Sequence, residues 1–394
     1  MTMTLLALNA GSSSLKFCLY EVTDRQHPRL QGVLEGLQPQ GRPRLLVHGE
    51  GLDEERDLDG DADAAFAAAL THLARWAQGR GTPLQAVAHR VVHGGRHYRQ
   101  PVRVDAAVLA DLRQLIPLAP LHQPHNLLAI ERARQVFPGL PQIAVFDTAF
   151  HADLPEVERA YALPAHWRDQ GVTRYGFHGL SYTYLSRRLG ELDPVHSERA
   201  LFVHLGNGAS CCAVRGGRSV ATSMGFSALE GLVMGTRTGS IDAGILLYLL
   251  EQGLSHDAIQ DLLYRQSGLL GLSGISADMR ALRASPAAEA AFAIAVFTHR
   301  LIKEMGGLIA LLGGVDAIVF SAGIGEHDAA LRHEVMRQLA YLGVREDEAA
   351  HGRLHGTGLI SATDSRVAVW VIPTDEEQVL VQAAIDLLGL AAAE

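Results

Sequence analysis

The run Leu5-Leu6-Ala7-Leu8-Asn9-Ala10-Gly11-Ser12-Ser13-Ser14-Leu15-Lys16-Phe17 places small and polar residues between two apolar segments. The pattern predicts two short strands joined as a β-hairpin, at residues 5–8 and 15–22. A similar arrangement returns at residues 201–214, with an apolar strand, a glycine-containing turn and a second apolar strand. The repetition indicates a diverged duplication, although unrelated glycine-rich hairpins would give the same pattern.

Working outward from the hairpins, apolar residues recur with helical or strand spacing along the rest of the chain. The spacing predicts helices over residues 64–78, 104–116, 126–137, 242–251, 255–266 and 287–312, and a closing helix from residue 376. Strands are predicted at residues 142–146, 317–320 and 367–372. This alternation is typical of an α/β fold with mixed sheets between helical layers.

A chain of 394 residues, 48% of them hydrophobic, is long enough for two packed domains. We expect a cleft between them and a boundary near residues 150–155. The N-terminal domain would comprise residues 1–150 and be completed by the closing helix, 376–394, and the C-terminal domain would comprise residues 151–375.

Charge and hydropathy exclude two classes of partner. The formal net charge of −9 offers no concentrated basic surface for nucleic acid or for an anionic membrane. No apolar run approaches the ~20 residues of a membrane helix, and the first ten residues lack an export pattern. We therefore expect a cytoplasmic protein.

The first turn is a candidate phosphate cradle. Its small residues would let backbone N–H groups approach a phosphate, and Lys16 follows directly. Lysine is rare here, since only Lys16 and Lys303 are lysines among 34 basic residues. The spacing is not that of a Walker A loop, and an ordinary polar hairpin with a surface lysine is the alternative.

Two glycine-containing loops, residues 204–208 and 323–326, each follow an apolar strand. Nucleotides bind at strand ends in open α/β sheets, and glycines let the backbone approach a ligand. Taken singly, each loop could be a tight turn that needs positive φ. Together with the first turn they favour nucleotide binding.

Three cationic or potentially cationic side chains, Arg90, His178 and Arg237, stand close to glycines. A planar guanidinium suits bidentate binding of carboxylate or phosphate, while surface salt bridges and a core histidine are the alternatives. Asp147 and Glu376 are candidate acidic groups for Mg²⁺. Glu376 has a competing role as an acid at a helix N-terminus.

Together, these segments resemble the acetate kinase family from end to end. The resemblance is carried by residues 8–17 (LNAGSSSLKF), 89–95 (HRVVHGG), 119–122 (APLH), 146–151 (FDTAFH), 175–179 (YGFHG), 204–208 (HLGNG) and 372–374 (IPT). It implies an actin-like ATPase fold, also called ribonuclease H-like, with two duplicated domains and a central inter-domain cleft. It also implies a homodimer and Mg²⁺-dependent synthesis of an acyl phosphate, with Mn²⁺ as a substitute ion.

The resemblance also implies a role for each matching residue. Asp147, His178 and Arg237 would be catalytic, with His178 and Arg237 stabilising the transition state. Asn9 and Glu376 would hold the metal. The acyl substrate would be bound by Arg90, Val92, Leu121, Phe177 and Ala228. ATP would be bound by Lys16, His204, Leu205, Gly206, Asn207, Gly208, Asp278, Met279, Arg280, Gly323, Ile324, Gly325, Glu326 and His327.

The sequence departs from the usual family pattern at three places. Residues 239–243 read Gly-Ser-Ile-Asp-Ala where Gly-Asp, an apolar residue and Asp-Pro are common, and His327 replaces an asparagine. Ala228 stands where many members have proline. The first two departures concern the Arg237 loop and nucleotide contacts, and the third concerns the length of the acyl chain.

The expected reaction is transfer of the ATP γ-phosphoryl group to acetate. A carboxylate is already an anionic nucleophile, so the protein needs to align the acid and neutralise the phosphoryl oxygens. We expect Asp147 to orient Arg90, a metal-bound water or a hydroxyl. The alternatives are a propionate or butyrate kinase, a non-metabolic actin-like ATPase and, more remotely, a sugar kinase.

Overall fold

A computed structural model describes residues 3–11, 14–38, 41–80 and 82–390. The chain divides into two compact units. Unit 1 comprises the residues up to Phe150 and those from Asp375 onward, and unit 2 comprises His151–Thr374. Asp375 thus groups with the closing helix, because its carboxylate accepts a hydrogen bond from Gln378 N (2.8 Å) and caps that helix.

Unit 1 is built on a mixed sheet that has eight strands in the described part of the chain. In spatial order the strands are Leu52–Asp57, Arg44–Gly49, Leu30–Glu35, Ser14–Glu21, Thr4–Ala10, Leu84–Val91, Gln142–Phe146 and Val102–Arg103. The predicted first hairpin is confirmed, since Thr4–Ala10 and Ser14–Glu21 pair antiparallel. Ser12 and Ser13 of its turn lie outside the described residues.

The helices of unit 1 pack on this sheet. They are Ala62–Gly79, Ala106–Gln114, Gln123–Val136 and Glu376–Leu388, with a short 3₁₀ turn at Ile116–Leu118. Asp61 and Asp105 cap the first two, as short acceptor side chains do at helix N-termini. Leu6, Leu8 and Phe17 of the central strands are buried in the core between sheet and helices. The apolar residues that recur in the strands and helices therefore pack the sheet against the helical layer.

Unit 2 repeats the core of unit 1. Its strands run in the order Arg218–Thr222, Ala209–Arg215, Arg199–Leu205, Ala317–Ser321, Ala368–Val371 and Gly358–Leu359. In both units three antiparallel strands are followed by two parallel ones, so strand order and direction agree with a duplication.

The helices of unit 2 include one of 25 residues, Ala288–Leu312, which packs on the sheet and ends at Gly313 in the left-handed conformation (φ 71°). The others are Glu156–Arg159, Ala165–Asp169, Gly179–Leu192, Ala243–Glu251, His256–Arg265, Gly268–Ser273, Met279–Ala284, Ala322–His327, Ala329–Gln338 and Glu348–Gly352. Short 3₁₀ turns lie at Ala149–His151 and Ala340–Leu342.

The segment 323–326 differs from the sequence prediction. We predicted a flexible glycine loop, but these residues lie in the short helix Ala322–His327 that follows strand Ala317–Ser321 directly. Ala322 takes positive φ (63°) so that the chain turns into the helix at once. Among the described residues no helix combines the length and apolar character needed to cross a membrane.

Candidate functional site

In unit 1, Arg90 and Asp147 meet at one edge of the sheet. Arg90 lies near the end of strand Leu84–Val91 and Asp147 follows strand Gln142–Phe146, and these strands are parallel neighbours. The Arg90 Nε lies 3.1 Å from both Asp147 carboxylate oxygens, and Nη2 lies 2.6 Å from Oδ2. Asp147 is 1% exposed. The sheet thus forms a buried, bidentate ion pair.

Asn9 connects this pair to the closing helix. Its Oδ1 accepts from Arg90 Nη1 (3.1 Å), and its Nδ2 donates to Glu376 Oε2 (3.0 Å) and Glu377 Oε1 (3.2 Å). Arg90 Nη1 also lies 3.6 Å from Glu376 Oε2. Asn9, Arg90, Asp147 and Glu376, which the sequence analysis selected, therefore form one network, and Glu377 joins it.

The network concentrates negative charge. Burial raises the pKa of Asp147, and the Arg90 guanidinium opposes that rise. Burial by itself would lower the pKa of Arg90, but the charges of Asp147 and Glu376 outweigh it and raise that pKa. Burial and then the charge of Glu376 raise the pKa of Glu377. A cation bound near Glu376 and Glu377 would relieve this repulsion.

The donor atoms here fit Mg²⁺. Glu376 offers carboxylate oxygens, which are hard ligands of the kind Mg²⁺ takes in small number alongside water and phosphate. The carbonyl oxygen of Asn9 is also a hard ligand, and in this structure it accepts from Arg90 Nη1. Among the described residues, at this network and elsewhere, no group of three or more His, Cys, Asp or Glu side chains is arranged for a metal. Asn9 and Glu376 remain the predicted ligands.

Lys16 lies across the hairpin from Asn9. The two residues are register partners in antiparallel strands, so their side chains project from the same face of the sheet. Lys16 is exposed, and its charge partly offsets the rise in the pKa of Glu377. That Lys16 contacts a phosphate beside the acidic network stays a prediction.

Val92 and Leu121 were predicted to line the acyl pocket. Val92 is buried, and its backbone N–H donates to Asn126 Oδ1 (2.9 Å), while Asn126 Nδ2 donates to the carbonyl of Ala10 (2.8 Å). Leu121 is half-buried in the turn before helix Gln123–Val136. Asn126 thus ties the segment after Arg90 to the first strand.

In unit 2, His178 occupies a strained position at a helix start. It takes the left-handed conformation (φ 58°, ψ 25°) immediately before helix Gly179–Leu192, which is uncommon for a residue with a side chain. Its Nδ1 lies 2.8 Å from Ser210 Oγ, and Ser210 Oγ is also hydrogen-bonded to the Tyr182 hydroxyl. These contacts fix the ring, as is common at functional sites.

His178 has His204 and Gly208 as neighbours. The two imidazole rings stack with centroids 4.2 Å apart, and His204 Nδ1 lies 2.9 Å from Ser181 Oγ. A Cβ added to Gly208 would lie 3.3 Å from His178 Nε2 and 3.7 Å from Arg237 Nη1. The glycine thus lets the backbone of the 204–208 turn lie against both predicted catalytic side chains.

Arg237 is oriented by a backbone carbonyl, because its Nη1 donates to the oxygen of Ala228 (3.0 Å). Phe177 is buried, and His151 Nε2 lies 3.0 Å from its carbonyl oxygen. Ala228 is partly exposed. That Phe177 and Ala228 line an acyl pocket stays a prediction.

A cavity of about 770 Å³ collects most of the predicted nucleotide residues. The predicted residues that line it are Gly206, Asn207, Asp278, Met279, Arg280, Gly323, Ile324 and His327. These residues come from the turn after strand Arg199–Leu205, from helix Met279–Ala284 with its capping Asp278, and from helix Ala322–His327. The space is within the usual range for a small-molecule site.

Six predicted ATP residues lie outside the lining of this cavity, namely Lys16, His204, Leu205, Gly208, Gly325 and Glu326. Leu205 and Gly325 are buried in the structure, while His204 and Gly208 lie beside His178. Sequence reasoning missed the lining residues Ala277, Arg283, Ala284 and Asp328. Helical spacing from Arg280 would have found Arg283 and Ala284, which lie three and four residues further along the same short helix. Ala277 and Asp328 lie outside that helix and have no such signal.

The acetokinase family model matches residues 4–382. The chain belongs to the acetokinase family. It is 49% identical over 385 residues to an acetate kinase from Rhodopseudomonas palustris, covering 96% of each chain. It is 46% identical to an acetate kinase from Methylocella silvestris, covering 100% of each.

Solved structures give the same result. An acetate kinase from Porphyromonas gingivalis matches with a TM-score of 0.88 and 35% identity, covering 98% of this chain and 100% of that one. A propionate kinase from Francisella tularensis matches with a TM-score of 0.89 and 34% identity, covering 97% and 99%. The predicted family, the α/β class with duplicated actin-like domains and the kinase class are confirmed.

Two departures from the acetokinase family pattern have local structural roles. Ser240, which stands where aspartate is common, accepts a hydrogen bond from Gly231 N on its Oγ (3.1 Å). Asp242, which follows the family pattern, caps helix Ala243–Glu251 by accepting from Gly244 N (2.7 Å). His327 lines the cavity of about 770 Å³. Ser240 thus adds a hydrogen bond to the loop after Arg237, and His327 belongs to the cavity that we predict to take the nucleotide.

Buried His151 should make folding sensitive to acid. Burial lowers its pKa from 6.5 to about 4. Between these values the unfolded chain binds a proton that the folded one does not, so unfolding becomes easier as pH falls, by about 3 kcal/mol at pH 4. His89 and His93, with pKa values also lowered to about 4, add to this trend.

The midpoint temperature of thermal unfolding, measured from pH 7 to pH 4, should therefore fall less steeply for His151→Gln than for the parent. His48→Gln, which alters an exposed histidine, is the control and should follow the parent. Parallel curves for the parent and His151→Gln would contradict the lowered pKa.

Proposed function

We propose that this protein is an acetate kinase, which transfers the γ-phosphoryl group of ATP reversibly to acetate and yields acetyl phosphate and ADP. The observation that carries the proposal is the Arg90 guanidinium fixed by buried Asp147, in a chain 49% identical to an acetate kinase. A fixed guanidinium suits a small carboxylate substrate.

The transfer is a single displacement. A carboxylate oxygen of acetate bonds to the γ-phosphorus as the bond from phosphorus to the β,γ-bridging oxygen breaks, and ADP leaves with that oxygen. No base is needed, because the nucleophile is already an anion. Catalysis then consists of alignment and of neutralising the equatorial oxygens in a loose transition state.

Each group in the proposal has a separate task. Arg90 binds the acid, and Asp147 orients Arg90, since its carboxylate is committed to that guanidinium. The cavity lined by Asn207 and Ile324 takes the nucleotide. His178 and Arg237 act on the phosphoryl oxygens, where groups aimed at developing charge are worth about 3–4 kcal/mol each.

Asn9 and Glu376 would hold Mg²⁺, or Mn²⁺ in its place. When bound, the ion would offset phosphate charge and help to align the nucleotide. The protein's own contribution is Lys16 on the same face of the hairpin as Asn9, together with the carboxylates at the start of the closing helix.

The proposal includes a cytoplasmic location and a homodimer, and the family resemblance implies the homodimer. Helix Ala243–Glu251 supports the homodimer, because its side chains Ile245, Leu247, Tyr248 and Leu250 are between 43% and 63% exposed. Several apolar side chains exposed on one helix are a feature of subunit contacts.

The proposal is tested by hydroxamate formation with ATP, Mg²⁺ and acetate, propionate or butyrate. We expect acid-dependent acyl phosphate and ADP, with acetate as the best acid. ADP release that ignores every acid would instead indicate a non-metabolic ATPase.

Arg237→Ala should lower kcat in this assay by at least ~10²-fold, because a donor that acts in the transition state is lost. Arg237→Lys should recover little, since an ammonium lacks the guanidinium fork. Arg215→Ala, which alters another arginine that donates to a carbonyl, is the control and should keep parental kcat. A kcat within threefold of the parent for Arg237→Ala would exclude the proposed role.

Asp147→Asn should raise the KM for acetate at least ~tenfold and leave the KM for ATP within threefold, because Arg90 loses its charged partner. Asp111→Asn changes an exposed carboxylate of the same unit and should have no effect. If kcat instead fell by more than ~10²-fold with an unchanged acetate KM, Asp147 would act in the chemical step.

A propionate kinase is the second candidate, favoured by Ala228 where proline is common. Alanine leaves room for about one methylene, which in an apolar pocket is worth only ~1–3 kcal/mol. Propionate should therefore be a usable substrate, and Ala228→Pro should shift kcat/KM toward acetate. An active Ala228→Pro enzyme with an unchanged ratio of the two kcat/KM values would show that Ala228 does not gauge chain length.

A further inference from the structure

Tyr161, Arg174 and Glu230 form a clamp in unit 2 that the catalytic roles above do not use. Arg174 Nη2 donates to Glu230 Oε1 (3.0 Å), and the Tyr161 hydroxyl donates to Glu230 Oε2. The Arg174 guanidinium also lies over the Tyr161 ring, 5.6 Å from its centroid. Both oxygens of the Glu230 carboxylate are therefore held by partners from another part of the chain.

The clamp fastens the loop of residues 225–231 at both ends. The Tyr161 hydroxyl accepts from Phe226 N (2.8 Å), and Arg174 Nη1 donates to the carbonyls of Thr222 (3.2 Å) and Met224 (3.1 Å). Glu230 lies at the far end of the loop. One cluster of side chains thus sets where this loop begins and where it ends.

Gly225 shows how closely the clamp packs on the loop. A Cβ at this position would lie 1.6 Å from Glu230 Oε2 and 2.1 Å from the Tyr161 hydroxyl. Its carbonyl accepts from the N–H groups of Tyr175 (3.0 Å) and Gly176 (3.3 Å). The loop is therefore anchored to the segment that precedes His178.

The middle of the loop carries the group that orients Arg237. The carbonyl of Ala228 accepts from Arg237 Nη1 at 3.0 Å. A hydrogen bond to a neutral carbonyl sets the direction of the guanidinium without cancelling its charge. A shift of the loop would move this carbonyl and tilt Arg237.

We infer that Glu230, held by Tyr161 and Arg174, is a positioning residue for phosphoryl transfer that acts through the Ala228 carbonyl on Arg237. The inference rests on the proposed function, which gives Arg237 its catalytic role. Because a displacement of about 1 Å at a reacting group can cost ~10²-fold in rate, a partly loosened loop should cost about tenfold in kcat.

The first test compares three variants in the acetate-dependent assay. Glu230→Ala should lower kcat about tenfold and leave the KM for ATP within twofold, since none of the clamp residues lines the proposed nucleotide cavity. Tyr161→Phe, a milder change that keeps the ring, should lower kcat in the same direction. Glu191→Ala is the matched control, because Glu191 pairs with Arg188 near the end of helix Gly179–Leu192 in the same unit, and it should keep kcat within twofold.

The second test separates positioning from general loosening. If Glu230 acts through Arg237, then Glu230→Ala should cause no further loss of kcat in an Arg237→Ala background. An equal fractional loss in both backgrounds, or unchanged kcat in Glu230→Ala and Tyr161→Phe, would overturn the inference. A parent protein without acid-dependent ADP release would overturn the proposed function as well, so the two failures are distinguishable.

Discussion

The buried carboxylate of Asp147 is the constraint on which unit 1 depends. Taking a carboxylate and a guanidinium out of water costs several kcal/mol each, which their attraction offsets only with good geometry and additional hydrogen bonds. Adjacent parallel strands supply that geometry, since Arg90 and Asp147 lie at the same edge of the sheet. Asn9 adds a hydrogen bond from the next strand. The sheet order is therefore what makes a fixed guanidinium possible.

The same topology explains how much could be predicted from the sequence. Strands and helices with strong apolar periodicity, such as Gln142–Phe146 and Ala288–Leu312, were found within a residue or two, because burial on one face dictates their pattern. The hairpin at the start of the chain was found for the same reason. Positions at strand ends pointed to Asp147 and to the loops at residues 204–208 and 323–326. The resemblance to the acetate kinase family supplied the role of Asn9 and the residues 278–280 that line the cavity.

Other features depend on contacts that are distant in sequence. Helix Ala322–His327 was mistaken for a loop, because two glycines in six residues disfavour helix and only its position after a buried strand permits the turn at Ala322. The left-handed conformation of His178 has no sequence signal either, since histidine rarely adopts it. Tyr161, Arg174 and Glu230 were missed because each is an ordinary residue until the fold brings them together.

The two principal arginines are held in chemically different ways, and the difference suits their tasks. Arg90 pairs with a carboxylate, which neutralises much of its charge. In the role that we propose, it acts by directing its N–H groups toward a small acid. Arg237 donates to a carbonyl, a contact that orients the guanidinium without neutralising it, which suits the role on phosphoryl oxygens that we propose. The position of the Ala228 carbonyl, however, depends on the position of the loop that contains it. The clamp of Tyr161, Arg174 and Glu230 holds that loop, and we infer that it places the carbonyl. For Arg90 the ends of adjacent strands set the distance to Asp147.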